Sequence, residues 1–180
     1  MIRQSLNCIF GEERCYEYTF YSFGLYPSLS VVIPACNEEE SIRKAISQLL
    51  DQDYPNFEVI VVNDRSTDRT GVILDELKII YPQLKVITIS DLPSNWLGKN
   101  HAVYQGVKEA TGEWLLLTDA DVMFSPGSLR KTVKYSMENK LDHLTISPDI
   151  TYKGFFYGGL ISFFSYKSGP WAAKSTAIGR

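Results

Sequence analysis

The stretch Leu29-Ser30-Val31-Val32-Ile33-Pro34-Ala35-Cys36-Asn37-Glu38-Glu39-Glu40 decides how the rest of the chain is read. Its first half is a short β-branched run ended by Pro, the pattern of a buried strand. Its second half turns polar, and Ile42, Ala45, Ile46, Leu49 and Leu50 then recur at helical spacing. Asn37, with Glu40 three residues later, predicts a helix cap with its reciprocal partner.

Working outward, the alternation repeats. Residues 57–62 predict a second buried strand, and 68–80 a helix with Ile73, Leu77 and Ile80 on one face. Residues 84–89 predict a third strand, and 92–100 a loop. Residues 101–110 predict a third helix, with Val103, Gly106, Val107 and Ala110 at i, i+3, i+4 and i+7 and Gly112 placed to stop it. Residues 114–118 predict a fourth strand. Ser125-Pro126 predicts a cap and a first-turn proline, opening a helix that runs to about Glu138. Residues 143–147 predict a fifth strand. Strand and helix in strict turn predict an α/β fold, a mainly parallel sheet with helices on both faces. Residues 1–27 show no clean period and are set apart as an N-terminal extension of unknown structure; residues 28–180 are expected to form one domain.

Composition narrows the function. The chain has 180 residues, 44% hydrophobic and 22% charged, with 18 Lys+Arg against 21 Asp+Glu. That is globular, and the net charge of −3 argues against a nucleic-acid binder working by bulk charge. Three Cys and no CxxC pair speak against a disulfide framework or a zinc site. Glu12, Glu13 and Arg14 interrupt any N-terminal apolar run, so no secretory leader is read there. The longest apolar stretch, 154–164, is short of the ~18–20 residues a spanning helix needs. The expectation is a cytoplasmic protein; the aromatic segment 154–166 reads either as a helix at the cytoplasmic face of a membrane or, since it lacks a strongly basic polar face, as a core or partner-facing segment.

In open α/β sheets, ligands bind beyond the carboxyl ends of the strands. Asp119-Ala120-Asp121 follows the fourth strand. If that strand stays extended, the two carboxylates point to one side and could share a hard divalent cation, Mg²⁺ or Mn²⁺, that also bridges phosphates. The other reading is a polar strand end. Asp64 follows the second strand and could accept a hydrogen bond from a base or ribose, or simply form an Asn-Asp turn. Gly98-Lys99, just before a helix, suits a phosphate, though it lacks the spacing of a P-loop. Cys36 and His101 are read as packing residues, and Trp96 as a wall of the site or a packing residue.

Three blocks in this order resemble the family 2 glycosyltransferases, which have the GT-A, Rossmann-like fold: residues 31–39 (Val-Val-Ile-Pro-Ala-Cys-Asn-Glu-Glu), 61–68 (Val-Val-Asn-Asp-Arg-Ser-Thr-Asp) and 112–121 (Gly-Glu-Trp-Leu-Leu-Leu-Thr-Asp-Ala-Asp). The resemblance covers about residues 28–129. It implies a nucleotide-sugar donor, a divalent metal and inverting transfer of sugar from a UDP-sugar to a hydroxyl acceptor. By family analogy Pro34, Ala35, Glu38 and Asp64 line the nucleoside pocket. Asp119 approaches the ribose or the metal, and Asp121 holds the metal on the diphosphate. The block 91–102 is similar to the lipid-acceptor branch, which includes ceramide glucosyltransferases and hopanoid-associated glycosyltransferases; there Lys99 lies by the donor diphosphate.

The family's catalytic base sits in a later acidic motif, followed by a Gln-x-x-Arg-Trp motif. Neither occurs before Arg180. The base is therefore expected beyond Arg180, with Asp149 as the one fallback, and the chain is expected to be the donor-binding half of a larger enzyme. Two rivals stand beside this reading. One is a non-catalytic module that holds a nucleotide-sugar. The other is a HAD-type phosphatase, whose D-x-D follows the first strand rather than the fourth.

Overall fold

The computed structural model describes residues 26–146. Four strands and four helices alternate: β1 (Leu29–Ala35), α1 (Ile42–Leu50), β2 (Phe57–Asp64), α2 (Thr70–Ile80), β3 (Leu84–Ile89), α3 (Gly98–Lys108), β4 (Trp114–Leu117) and α4 (Ser128–Glu138). The strands form one parallel sheet in the order β3-β2-β1-β4. The chain thus winds outward from β1 to β3 and then crosses back to place β4 on the other side of β1. The point where the order reverses lies between β1 and β4.

The period of two along each strand sorts the core into two layers. Val31, Ile33, Val59 and Val61 face α1, α2 and α4, where Ile42, Ile46, Leu49, Leu74, Leu77, Leu129 and Val133 cover them. Val32, Ile60 and Val62 face the opposite way, toward Ala102 of α3. Both central strands are therefore covered on both faces, which is why they read as unbroken Val/Ile runs. α3 comes unusually close to the sheet: a Cβ on Gly106 would lie 2.4 Å from Val32 Cγ1 and 3.0 Å from Val62 Cγ2.

Several expectations need correction. Asn37 does not cap α1, which starts at Ile42 with Ser41 before it; Asn37 adopts φ 57 and spends its side chain on another loop. α2 buries Leu74 rather than Ile80, which is 63% exposed. α3 begins three residues earlier than the periodicity predicts, so Gly98 and Lys99 lie in its first turn rather than in a loop ahead of it. Its buried face is His101, Ala102 and Gly106; Val107 is exposed. Gly112 is required by a close approach, because a Cβ there would meet Ser30 N at 2.6 Å. α4 opens at Ser128 behind Gly127 in the left-handed region, so Ser125 and Pro126 precede it. Residues 143–146 form no strand, and Ser147, Asp149 and the aromatic segment 154–166 lie outside the described residues. None of the described helices is long and apolar enough to cross a membrane.

Candidate functional site

Parallel pairing aligns three strand ends. Ala35 sits opposite Asn63, and Val32 opposite Leu117, so β1, β2 and β4 release their chains along one edge. The loops that follow enclose a cleft of about 200 Å³ lined by Pro34, Ala35, Cys36, Glu38, Asp64, Lys99, Asp119, Ala120 and Asp121. Pro34, Ala35, Glu38, Asp64, Lys99, Asp119 and Asp121, the donor- and metal-binding residues expected from the sequence, therefore line one cavity.

Asp64 closes β2 as its last residue, 4% exposed, rather than standing in a turn after it. Its carboxylate accepts two bonds from its neighbour, Arg65 Nε to Oδ1 at 2.8 Å and Arg65 Nη2 to Oδ2 at 3.1 Å. The fork geometry of guanidinium suits this pairing. It requires Arg65 to fold back, and its φ of 55 is the backbone mark of that turn. The bond to Asp64 holds the guanidinium still more firmly in its charged form. The first residue of α3 lies against the pair: a Cβ on Gly98 would come within 2.7 Å of Arg65 Nη2 and 2.9 Å of Asp64 Oδ2.

The loops after β1 and β2 are stitched to each other. Asn37 N–H donates to Ser66 Oγ at 3.0 Å, and Asn37 Oδ1 accepts from Thr67 N–H at 2.8 Å. Glu38 N–H donates to Thr70 Oγ1, and Glu39 N–H to Asp68 Oδ2. Asp68 also accepts from Thr70 N–H, at the start of α2. Partial desolvation works against its charge, but the bonds from Thr70 and Glu39 prevail and hold its carboxyl below the usual range. Sequence reasoning assigned no role to Ser66, Thr67, Asp68 and Thr70. The signal was present as a run of short hydrogen-bonding side chains, of the kind that bond to nearby backbone.

Lys99, from the first turn of α3, pairs with Asp119 across the cleft, Nζ to Oδ1 at 2.7 Å. Both side chains are more than half exposed. Asp119 and Asp121 reach the cleft differently from the sequence expectation. β4 ends at Leu117, and residues 120–121 form a turn, so the alternation of an extended strand does not place the two carboxylates. In the preceding Leu run, Leu115 and Leu117 are exposed, while Leu116 is partly buried against the core. Cys36 is an exposed free thiol on the cleft wall. His101 is buried, with Nε2 3.0 Å from Gln105 Nε2, and it packs on Trp96, which itself lies outside the cleft.

Among the described residues, no three His, Cys, Asp or Glu side chains come together as a metal cage. Mg²⁺ or Mn²⁺ needs no such cage where phosphates supply the remaining oxygens; one or two carboxylates are enough. Asp121 and Asp119, on the rim of a cleft that also holds Lys99, fit that donor set.

Comparison with known proteins agrees with this architecture. Glycosyl transferase family 2 matches residues 30–176. The 4,4'-diaponeurosporenoate glycosyltransferase of Staphylococcus aureus is 33% identical over 135 residues, 74% of this chain and 35% of the relative. The beta-monoglucosyldiacylglycerol synthase of Synechocystis is 39% identical over 112 residues, 61% of this chain and 23% of the relative. The chain thus spans about a third or less of the length of these relatives. Among solved structures, S. aureus TarS in complex with UDP superposes with a TM-score of 0.54 at 30% identity, over 63% of this chain and 33% of that one. The mannosyltransferase PcManGT of Pyrobaculum calidifontis, in complex with GDP-Man and Mn²⁺, gives 0.55 at 30% identity, over 62% and 33%. With the family matched from β1 through every described element and the strand-end cleft in place, the chain belongs to glycosyl transferase family 2.

Proposed function

We propose that the cleft binds a UDP-sugar and that residues 28–180 act as the donor-binding part of an inverting glycosyltransferase with a lipid hydroxyl as acceptor. The observation that carries this is the convergence of Pro34, Ala35, Glu38, Asp64, Lys99, Asp119 and Asp121 on one cavity at the carboxyl edge of β1, β2 and β4. In this reading Asp64, fixed by Arg65, keeps lone pairs free to accept from the uracil N–H. Pro34 and Ala35 form the wall beside it, and Glu38 lines the same pocket. Asp119 faces the ribose and phosphates together with Lys99. Asp121, with Asp119, would hold a divalent cation, which when bound supplies Lewis-acid charge at the diphosphate.

Transfer joins the acceptor oxygen to the anomeric carbon as the bond from that carbon to the diphosphate oxygen breaks, and the acceptor proton passes to a carboxylate base. Lys99 adds positive charge where the leaving diphosphate gains negative charge. Its three N–H donors let it meet a phosphate while it keeps Asp119. Asp64 and Asp119 are already engaged by Arg65 and Lys99, so neither is assigned as the base. The lipid acceptor is supported by the names of relatives that act on diaponeurosporenoate and make a glucosyldiacylglycerol. Such an acceptor would bring the protein to the cytoplasmic face of a membrane.

Calorimetric titration of UDP with Mn²⁺ and with a chelator tests this reading. UDP should bind more tightly with the metal, and Asp121→Ala should remove most of the difference. Equal affinity with and without metal in the unaltered chain would refute the metal role.

A further inference from the structure

Beside the cleft runs a second, larger cavity of about 530 Å³. It shares Pro34, Lys99 and Asp119 with the cleft, so the two are continuous along the edge of β1 and β4. Away from that edge its walls are Trp96, Tyr104 and Val107 on one side and Leu117 on the other. Trp96 and Tyr104 lean together, ring centroids 5.0 Å apart and planes 34° apart, and form a continuous aromatic surface. These side chains are open to solvent: Trp96 is 38% exposed, Tyr104 48%, Val107 37% and Leu117 51%.

The sequence predicted Val107 on the core face of α3. The structure instead lays Ala102 and Gly106 against the sheet, and the small residues draw the helix in. That leaves Val107 and Tyr104 to line the groove rather than fill the core. Single exposed apolar residues are ordinary, but a contiguous set lining a concavity marks a binding surface. The volume falls within the ~300–1,000 Å³ of small-ligand sites. Polarity is graded along the groove: the charged pair Lys99 and Asp119 stands at the cleft end with the polar neighbours Asn100 and Thr118 in sequence beside it, and Trp96, Val103, Tyr104, Val107 and Leu117 supply the aromatic and aliphatic walls. A polyhydroxylated ligand would find few hydrogen-bonding partners along those walls. An apolar chain with one polar end matches them, and only one orientation satisfies both ends.

We propose that this groove holds the apolar portion of the acceptor, with the acceptor hydroxyl at the Lys99–Asp119 end, facing the sugar donor. The assignment rests on the donor reading of the adjoining cleft. It names the α3–β4 face, with Trp96, Tyr104, Val107 and Leu117, as the surface that selects a lipid over a sugar acceptor.

A brominated alkyl alcohol, 11-bromo-1-undecanol, serves as the probe, because bromine quenches a nearby indole. Added to the full 180-residue chain below its aggregation concentration, it should quench tryptophan fluorescence saturably, and Trp96→Phe should remove most of the quenching. Val107→Glu places a carboxylate in the apolar wall and should weaken the probe about tenfold or more. UDP affinity, measured in parallel by calorimetry, should stay unchanged in that variant. If Val107→Glu loses its helical circular dichroism, Tyr104→Ser, at an exposed position, takes its place with the same expectation. UDP binding without saturable quenching, or quenching untouched by a folded variant, overturns the groove assignment and leaves the donor reading standing. Saturable, Trp96-dependent quenching without UDP binding overturns the donor reading, and with it the assignment of the groove to an acceptor.

Discussion

Lys99 Nζ and Asp119 Oδ1 stand 2.7 Å apart, joining the first turn of α3 to the end of β4 across the mouth of the cleft. Both side chains are largely solvated, so the pair adds little to stability. Its consequence is positional: a cation and a carboxylate from two distant segments are held where two cavities meet.

Lys99→Met should therefore separate binding from folding. Stability to urea should change by less than about 0.5 kcal/mol, as for an exposed ion pair. UDP affinity should fall about tenfold, the worth of a charge-assisted bond to phosphate. Calorimetry and urea denaturation on the same samples check both halves.

Gly106→Ala should do the reverse. The new Cβ would meet two buried valines, Val32 and Val62, with 2.4 Å to the first. Alanine is worth about 1 kcal/mol over glycine inside a helix. The overpacking cost of about 1–3 kcal/mol should exceed it and destabilise the chain, because β1 and β2 are covered on both faces and cannot yield. The midpoint of urea denaturation reads this directly.

This glycine also shows where the sequence was legible. The buried strands and the order of elements follow from Val/Ile runs of the right length, because β1 and β2 are covered on both faces and carry an unambiguous pattern. The positions of Asp64, Lys99, Asp119 and Asp121 were legible as well, since parallel strands must release their chains along one edge, whereas Pro34, Ala35 and Glu38 were assigned through the family resemblance. The face of α3 was not legible. Its contact with the sheet is made by Ala102 and Gly106, which contribute nothing to a hydrophobic periodicity, while the apolar Val107 lines a groove. The capping role expected of Asn37 failed for a related reason. Its partners, Ser66 and Thr67, lie 29 and 30 residues away, and no local pattern reports a bond between two loops. Likewise, the Arg65 fork onto Asp64 needs a left-handed backbone that nothing in the local pattern demanded.

Glu58 predicts an acid-dependent loss of stability. Burial pushes its pKa up, but bonds from Lys85, from Ser30 and from the Thr111 N–H and hydroxyl outweigh burial and bring it to about 2, against an ordinary value of 4.5. The folded pKa lies below the unfolded one, so the stabilisation is complete above about pH 4.5 and is lost as the pH falls through about 2. Discounted for solvent screening, it amounts to about 1–2 kcal/mol. Urea denaturation at pH 6 and pH 3 should show a drop of this size or less, shrinking in Glu58→Gln. A drop of the same size in Glu58→Gln would place the effect elsewhere.

The central claim is that this strand-end cleft receives the nucleoside of the donor. The most direct measurement is a calorimetric titration of UDP, in Mn²⁺, into the unaltered chain and into Asp64→Ala, with circular dichroism confirming that both are folded. Saturable one-to-one binding to the unaltered chain is expected, with a loss of about tenfold or more in the variant, as for removing a carboxylate acceptor. Equal UDP affinity in the two folded proteins, or no saturable binding to the unaltered chain, would contradict that claim.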